Sequence, residues 1–197
     1  MNSTSQPAAV GPARADETAF DALDVCHRNT ALTLGRLAAL ITQLSRGEPD
    51  TAARELAHQI LDHFNVEIRE HHRDEELHVF PALAAKGDAD LADTLARLRQ
   101  DHAWIEQDWA ELAPHLDAIA NGQSWFDIDV LREGSGIFIS LCHAHVALEE
   151  SVIYPQARHV LSPEQLRTMR SEMVRRRRIG SRGALRRQQG RGALTAY

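Results

Sequence analysis

Two stretches decide the reading of this chain: HHRDEELHVFP at residues 71–81 and HVALEESVIYP at residues 145–155. Each reads His, three residues, Glu-Glu, three residues, an aromatic, Pro, and the two lie 74 residues apart. His27 and His102 keep nearly the same spacing, at 75 residues. The chain reads as a duplicated unit, a helix with a His followed by a helix with a His and a Glu. A His at i and a Glu at i+4 project from one helix face, one turn apart. Four imidazoles and two carboxylates gathered in one apolar interior call for a counter-charge, because isolated buried charge is heavily penalised. A pair of metal ions is the simplest one.

Working outward, breakers cut the body into four long segments. Gly47-Glu48-Pro49-Asp50 ends the first, Lys86-Gly87-Asp88 the second and Asn121-Gly122-Gln123-Ser124 the third; Pro155 bends or ends the fourth. Within each segment apolar residues recur at intervals of three and four, the helical period. The first stripe includes Phe20, Leu23, Leu34 and Ile41, with His27 inside it. The second includes Ile60, Phe64, Ile68 and Val79, with His71 and Glu75 inside it. The third runs from Leu91 through Leu98, His102, Ile105 and Trp109 to Leu116, and the fourth through Phe138, Leu141, His145, Glu149 and Val152. No strand-like alternation appears. Short connections between long helices mean antiparallel neighbours, so the expected fold is all-α, an up-and-down antiparallel four-helix bundle with a short C-terminal helix and a basic tail.

The histidines also match in height. His27 stands 20 residues before Gly47, and His71 stands 21 after Asp50. His102 stands 20 before Gly122, and His145 stands 21 after Ser124. At ~1.5 Å rise per residue each hairpin sets its two histidines within about one turn of the same level. Core packing alone does not require that match.

Composition narrows the class. The 197 residues carry a formal charge of −6. Residues 161–197 hold ten Arg against two Glu, which leaves an acidic body of 12 basic and 26 acidic side chains. An acidic body points away from nucleic acid as a partner. The two cysteines, Cys26 and Cys142, form no CxxC, which argues against a disulfide scaffold or a zinc–thiolate site and fits a reducing compartment. Residues 1–15 lack the apolar centre of a signal peptide, and no apolar run approaches the ~20 residues of a membrane span. The expectation is a cytoplasmic protein with no membrane partner. Its expected parts are a disordered N-terminus over 1–15, a bundle over 16–160, a short helix over 161–178 and a disordered basic tail over 179–197.

The set His27, His71-x3-Glu75, His102 and His145-x3-Glu149 resembles the hemerythrin-like (HHE cation-binding) domain family across about residues 18–160. Phe80-Pro81 and Tyr154-Pro155, the aromatic-Pro pairs after each HxxxE, belong to the resemblance. It implies a non-haem di-iron centre, two Fe ions joined by an oxo or hydroxo group. Glu75 and Glu149 would bridge the irons, and His27, His71, His102 and His145 would be terminal ligands. Imidazole with carboxylate also admits Mn or Zn. The implied function is binding or handling of a small oxidant or diatomic ligand: O2, NO or peroxide. The alternatives are a di-iron enzyme of peroxide or NO detoxification, and an iron donor for repair of iron–sulfur clusters. There are departures. Oxygen-carrying members have a fifth His one turn after the third-helix His, where this chain has Glu106. They also place an Asp five residues after the last His, where this chain offers Glu149 and Glu150 at the two candidate spacings. These departures bring the chain nearer the branch linked to iron–sulfur repair, NO handling or peroxide breakdown.

Other residues read more plainly. His72 and Glu76 share a face with Asn65, Arg69 and Arg73 and read as solvated. Glu106 reads equally as an additional ligand or partner of one and as an exposed helix charge. His63 reads as a flank residue, Trp109 as core, and Cys26 and Cys142 as small core residues. His58, His78, His115, His143 and His159 read as surface or flank positions. Ser162-Pro163-Glu164 starts the C-terminal helix, with Ser162 as N-cap and Pro163 at N1, and Leu166, Met169 and Met173 give it a thin apolar stripe.

Overall fold

The computed structural model describes residues 19–192, with side chains described from Ala19 to Arg177. Every described element is a helix. Helix α1 is Ala19–Leu44. Helix α2 spans residues 51–84 and contains two π turns, His63–Glu67 and Glu75–Val79. Helix α3 is Ala89–Ala120, and α4 is Ile128–Val160 with one π turn at Glu149–Ile153. Helix α5 is Pro163–Gly192. It was expected over 161–178. Past that point the chain is rich in Arg, Gly and Gln; the glycines weaken a helix, but with no Pro nothing stops one outright. The N-terminal segment 1–15 and the end of the tail, 193–197, lie outside the described residues.

The helix ends are local chemistry. Asp50 accepts from Ala53 N at 2.7 Å, Asp88 from Leu91 N at 3.0 Å, and Asp127 from the amides of Asp129 and Val130. Each satisfies donors that a helix start leaves without partners. Gly87 and Gly122 follow α2 and α3 at φ 73° and 69°, the left-handed conformation in which only glycine is unstrained. Ser162 caps α5 reciprocally: Gln165 N donates to Ser162 Oγ, and Ser162 N donates to Gln165 Oε1.

Pro155 does not end α4. The helix runs on to Val160, and the π turn lies just before the proline. The same holds at Pro81. In both places an amide reaches five residues back, Phe80 N to Glu75 O and Tyr154 N to Glu149 O. A proline cannot carry the ladder onward. Here its missing donor falls at a register change, and the helix continues.

Around the bundle α1 touches α2 and α4, α2 touches α3, and α3 touches α4. The apolar interior forms two clusters. One includes Leu34, Leu37, Ile60, Leu116 and Phe138; the other includes Phe20, Leu83, Leu95, Tyr154 and Met169. His27, His71, Glu75, His102, His145 and Glu149 are buried and belong to neither. Helix α4 is, among the described residues, the one helix long and apolar enough to match a membrane span, its best window having a mean hydropathy of 1.3. It is apolar on average and not as an unbroken run, because His143, His145, Glu149 and Glu150 interrupt it. Helix α5 lays Met169 and Met173 into the second cluster.

An Asp88→Ala substitution removes one cap far from the buried polar set. It should cost about 1 kcal/mol of stability in urea denaturation of the metal-free protein and leave metal content unchanged.

Candidate metal centre

The six residues singled out from the sequence come together. Glu75 and Glu149 are both fully buried, at 0 % exposure. Around them His27 Nε2 lies 3.2 Å from Glu149 Oε2, and His71 Nε2 lies 3.4 Å from Glu75 Oε1. His145 Nε2 lies 3.1 Å from Glu149 Oε1. His102 Nε2 lies 3.5 Å from Glu75 Oε2 and 3.7 Å from Glu149 Oε1. The nitrogens of His27 and His71 approach to 3.0 Å. The donors form two sets that can each hold an ion: His27, His71, Glu75 and Glu149, and Glu75, His102, His145 and Glu149. The two sets share both carboxylates.

The donor atoms fit metal better than they fit one another. Glu75 Oε2, both carboxylate oxygens of Glu149, His102 Nε2 and His145 Nε2 are buried and make no hydrogen bond. Buried polar atoms in folded proteins almost always have a partner. Here those lacking one point into the same small volume.

Outside this layer, each second glutamate of the repeated Glu-Glu pairs supports a ring. His102 Nδ1 donates to Glu76 Oε1 at 2.7 Å, and His27 Nδ1 donates to Glu150 Oε1 at 3.1 Å. In each case the first glutamate enters the pocket and the second fixes a histidine that the opposite half of the repeat contributes. Such an outer hydrogen bond sets the tautomer that leaves Nε2 free to bind a metal. The residues after the Glu75–Val79 and Glu149–Ile153 turns stack on the same two rings. Tyr154 lies on His27 at 5.1 Å and 7°, and Phe80 lies on His102 at 5.6 Å and 17°. Tyr154 also donates its hydroxyl to Glu75 Oε1 at 2.6 Å.

Several expectations change. His72 is buried at 5 % exposure, not solvated, and stacks on His102 at 3.8 Å and 8°. The π turns widen the inward stripe, so that His71 with His72, and Val79 with Phe80, all face inside. A strict 3.6-residue period puts only one of each pair there. His63 is likewise buried, pairing with Thr30 at 3.0 Å and Glu67 at 2.9 Å. Glu106 is exposed, 3.8 Å from Arg69, on the rim of a cavity of about 500 Å³ bordered by His72, His102 and Glu76. Trp109 is core and donates to Asn65 at 2.8 Å. Cys26 and Cys142 are buried, and burial pushes both thiols up to about 12, so they are poor nucleophiles. Asp101, Asp74 and the Tyr154 hydroxyl escaped the sequence reading. Asp101 lies 3.9 Å from His145 Nδ1, and Asp74 is ion-paired to Arg176 of α5.

The electrostatics divide the carboxylates. Burial and the charge of Glu149 raise Glu75 above the usual carboxylate range. Burial pushes Glu149 the same way, but His145, His102 and His27 outweigh it and hold Glu149 well below that range. Burial disfavours charge on His102, yet Glu149 and Glu75 outweigh it and bring His102 up to about 10. His71 and His72 are held well below their ordinary value, first by burial and then by neighbouring histidines, and so stay neutral.

The raised His102 fixes two signs. In the metal-free protein its contribution to stability is fully present below its ordinary 6.5 and is lost as pH rises through about 10. Metal affinity runs the other way, because the proton on His102 must leave before its nitrogen can bind. Calorimetric metal titration at neutral pH, in buffers of different ionisation enthalpy, should show net proton release, with affinity rising as pH rises. Proton uptake, or a flat profile, would contradict this account. Removing an outer support, by Glu76→Ala or Glu150→Ala, should weaken metal binding by about 10–100-fold without loss of helix content by circular dichroism.

Comparison with known proteins agrees in extent with the buried set. The family model described as Hemerythrin HHE cation binding domain matches residues 18–157. An uncharacterized protein of Haemophilus influenzae is 29% identical over 160 residues, covering 81% of this chain and 90% of the relative.

Proposed function

Because the chain belongs to the hemerythrin HHE cation-binding domain family, we propose that it is a non-haem di-iron protein that handles a small oxidant or diatomic ligand: O2, NO or peroxide. The observation that carries this reading is the sharing of Glu75 and Glu149 between two four-donor sets. In this reading α1 to α4 form an up-and-down antiparallel bundle. His27 and His71 hold one iron, His102 and His145 hold the other, and the two glutamates bridge them. A donor set of imidazole and carboxylate without thiolate suits iron, and admits Mn or Zn. The protein works in the cytoplasm, without nucleic acid or membrane as a partner.

A pair of irons would supply reversible one-electron chemistry and a position at which a small ligand can exchange. The chain's own residues limit what reaches them. A space of about 10 Å³ bordered by His27, His71, His72, His145, Phe64 and Cys142 lies against the donors. It is at the lower limit for one water molecule, which favours ligands of two or three atoms over organic substrates. The apolar clusters on either side keep bulk water away. The Tyr154 hydroxyl donates a hydrogen bond to Glu75, and burial together with the charges of Glu75 and Glu149 keeps its proton in place.

The test is elemental analysis of protein produced in iron-replete medium, with an ultraviolet–visible spectrum. About two irons per chain with oxo-bridge absorption bands is the expected result. Folded protein that takes up no metal would sink the reading. Spectral change reversed on removing O2 or NO selects a binder, turnover of peroxide or NO an enzyme, and iron transfer to an apo iron–sulfur protein a donor. His71→Ala should lose metal and lower thermal stability, because Glu75 stays buried and short of a partner. Unchanged metal content and melting temperature would remove His71 from the ligand set.

A further inference from the structure

We infer that His63, held by Glu67 and acting through the Thr30 hydroxyl, is the proton donor to the small space beside the metal donors. This rests on the dinuclear reading above. The three side chains form one hydrogen-bonded chain from the surface inward. Glu67, 55 % exposed, sets Oε2 2.9 Å from His63 Nδ1, and His63 Nε2 lies 3.0 Å from Thr30 Oγ1. His63 and Thr30 are buried. Thr30 borders the space of about 10 Å³ together with His27, His71 and His145, and it carries the only hydroxyl among the residues bordering that space.

Packing alone does not call for this chain. A buried imidazole costs free energy that an apolar side chain at the same place would not. The backbone is also reshaped to keep it. Of the three π turns, His63–Glu67 is the one that holds no candidate ligand and precedes no proline; Ile68 N reaches back to His63 O. The turn brings both His63 and Phe64 inward and leaves Glu67 at the surface within reach of the ring. The other protic groups near the donors keep their protons: burial holds Tyr154 well above its ordinary value and Cys142 at about 12.

The Thr30 hydroxyl has one hydrogen and two acceptors in reach, Cys26 O at 2.9 Å and His63 Nε2 at 3.0 Å. When His63 is charged, both ring nitrogens donate, Nδ1 to Glu67 and Nε2 to Thr30. When it is neutral, Thr30 donates to Nε2 instead. The chain therefore holds one proton more or less with its heavy atoms in place. In delivery, the Nε2 proton passes to Thr30 Oγ1 while Thr30 gives its own hydrogen to the molecule in the space. His63 is left neutral with its Nδ1 proton on Glu67, and one proton from water recharges it. Burial and Arg36 of α1 lower His63 below its ordinary value although Glu67 raises it, so the charged ring gives its proton up readily. Peroxide needs such a supply, since it takes up two protons with two electrons as it becomes two waters.

The test is exchange of the Thr30 hydroxyl proton with water, followed by NMR in the zinc-loaded full-length wild type and Glu67→Gln. Gln keeps an acceptor for Nδ1 and removes the charge that supports the imidazolium. Exchange should be at least ten-fold slower in Glu67→Gln, with zinc content unchanged. Equal or faster exchange, as a loosened structural bond would give, overturns the inference and leaves the dinuclear reading intact. A wild type that takes up no metal fails the dinuclear reading itself. The second measurement is single-turnover oxidation of the iron-loaded, reduced protein by hydrogen peroxide. Glu67→Gln and His63→Phe should be at least ten-fold slower than wild type at equal iron content, with a larger solvent deuterium isotope effect. An unchanged rate, or slowing without a larger isotope effect, overturns the proposal; Glu67→Gln alone decides it where His63→Phe does not fold.

Discussion

Two carboxylates with no access to water set the terms for this molecule. Glu75 and Glu149 sit at 0 % exposure in a layer between two apolar clusters. Ionised carboxylates in that position are heavily penalised unless positive charge or strong donors meet them. Imidazoles meet them here on every side, and without metal the solution is a compromise. Glu149 stays ionised, Glu75 is driven toward its protonated form, and His102 holds a proton. Cations at the same point remove the conflict. Much of the surrounding structure serves to hold those atoms in one place: the outer glutamates on His102 and His27, the rings of Phe80 and Tyr154, and the hydroxyl on Glu75.

The π turns show how the backbone meets this demand. The turns at Glu75–Val79 and Glu149–Ile153 each begin at a buried glutamate and end just before an aromatic-Pro pair. An α-helix offers one inward position in each turn, with the next three or four residues on. The site needs more: a glutamate pointing in, a second glutamate reaching a histidine on another helix, and an aromatic ring on that same histidine. One extra residue in the turn widens the inward face enough for all three. The proline then limits the π register, because it has no amide to extend it.

This also explains what could be read from the sequence and what could not. Helix ends were legible because Asp50, Asp88, Gly87 and Gly122 act through local backbone chemistry, and the structure shows them at those ends. The six inward residues were legible because duplication repeats their spacing, and the structure brings all six together. His72 and His63 were misread because a 3.6-residue period carried through a π turn assigns them to the wrong face. The length of α5 was not legible, since its Arg-rich sequence carries neither a strong stop nor a strong stripe. The Tyr154 hydroxyl was hidden for a different reason. Tyr154 and Phe80 look alike as aromatics before proline, and only the fold brings the Tyr154 oxygen to 2.6 Å from Glu75.

Duplication explains the symmetry of the site, and the departures from duplication give it direction. Glu76 and Glu150 have kept the same task in both halves. Tyr154 against Phe80, and His72 against Val146, have not stayed equivalent. The polar member of one pair stands at His27 and that of the other at His102. Asp74 adds a third asymmetry. It is buried beside Glu75, where its counterpart in the second half is Leu148, and its charge is met by Arg176 and Arg177 of α5. A buried aspartate one residue from a pocket glutamate would be costly without those arginines. The C-terminal helix is therefore electrostatically tied to the helix that carries His71 and Glu75, and whatever displaces α5 leaves an uncompensated charge next to the centre.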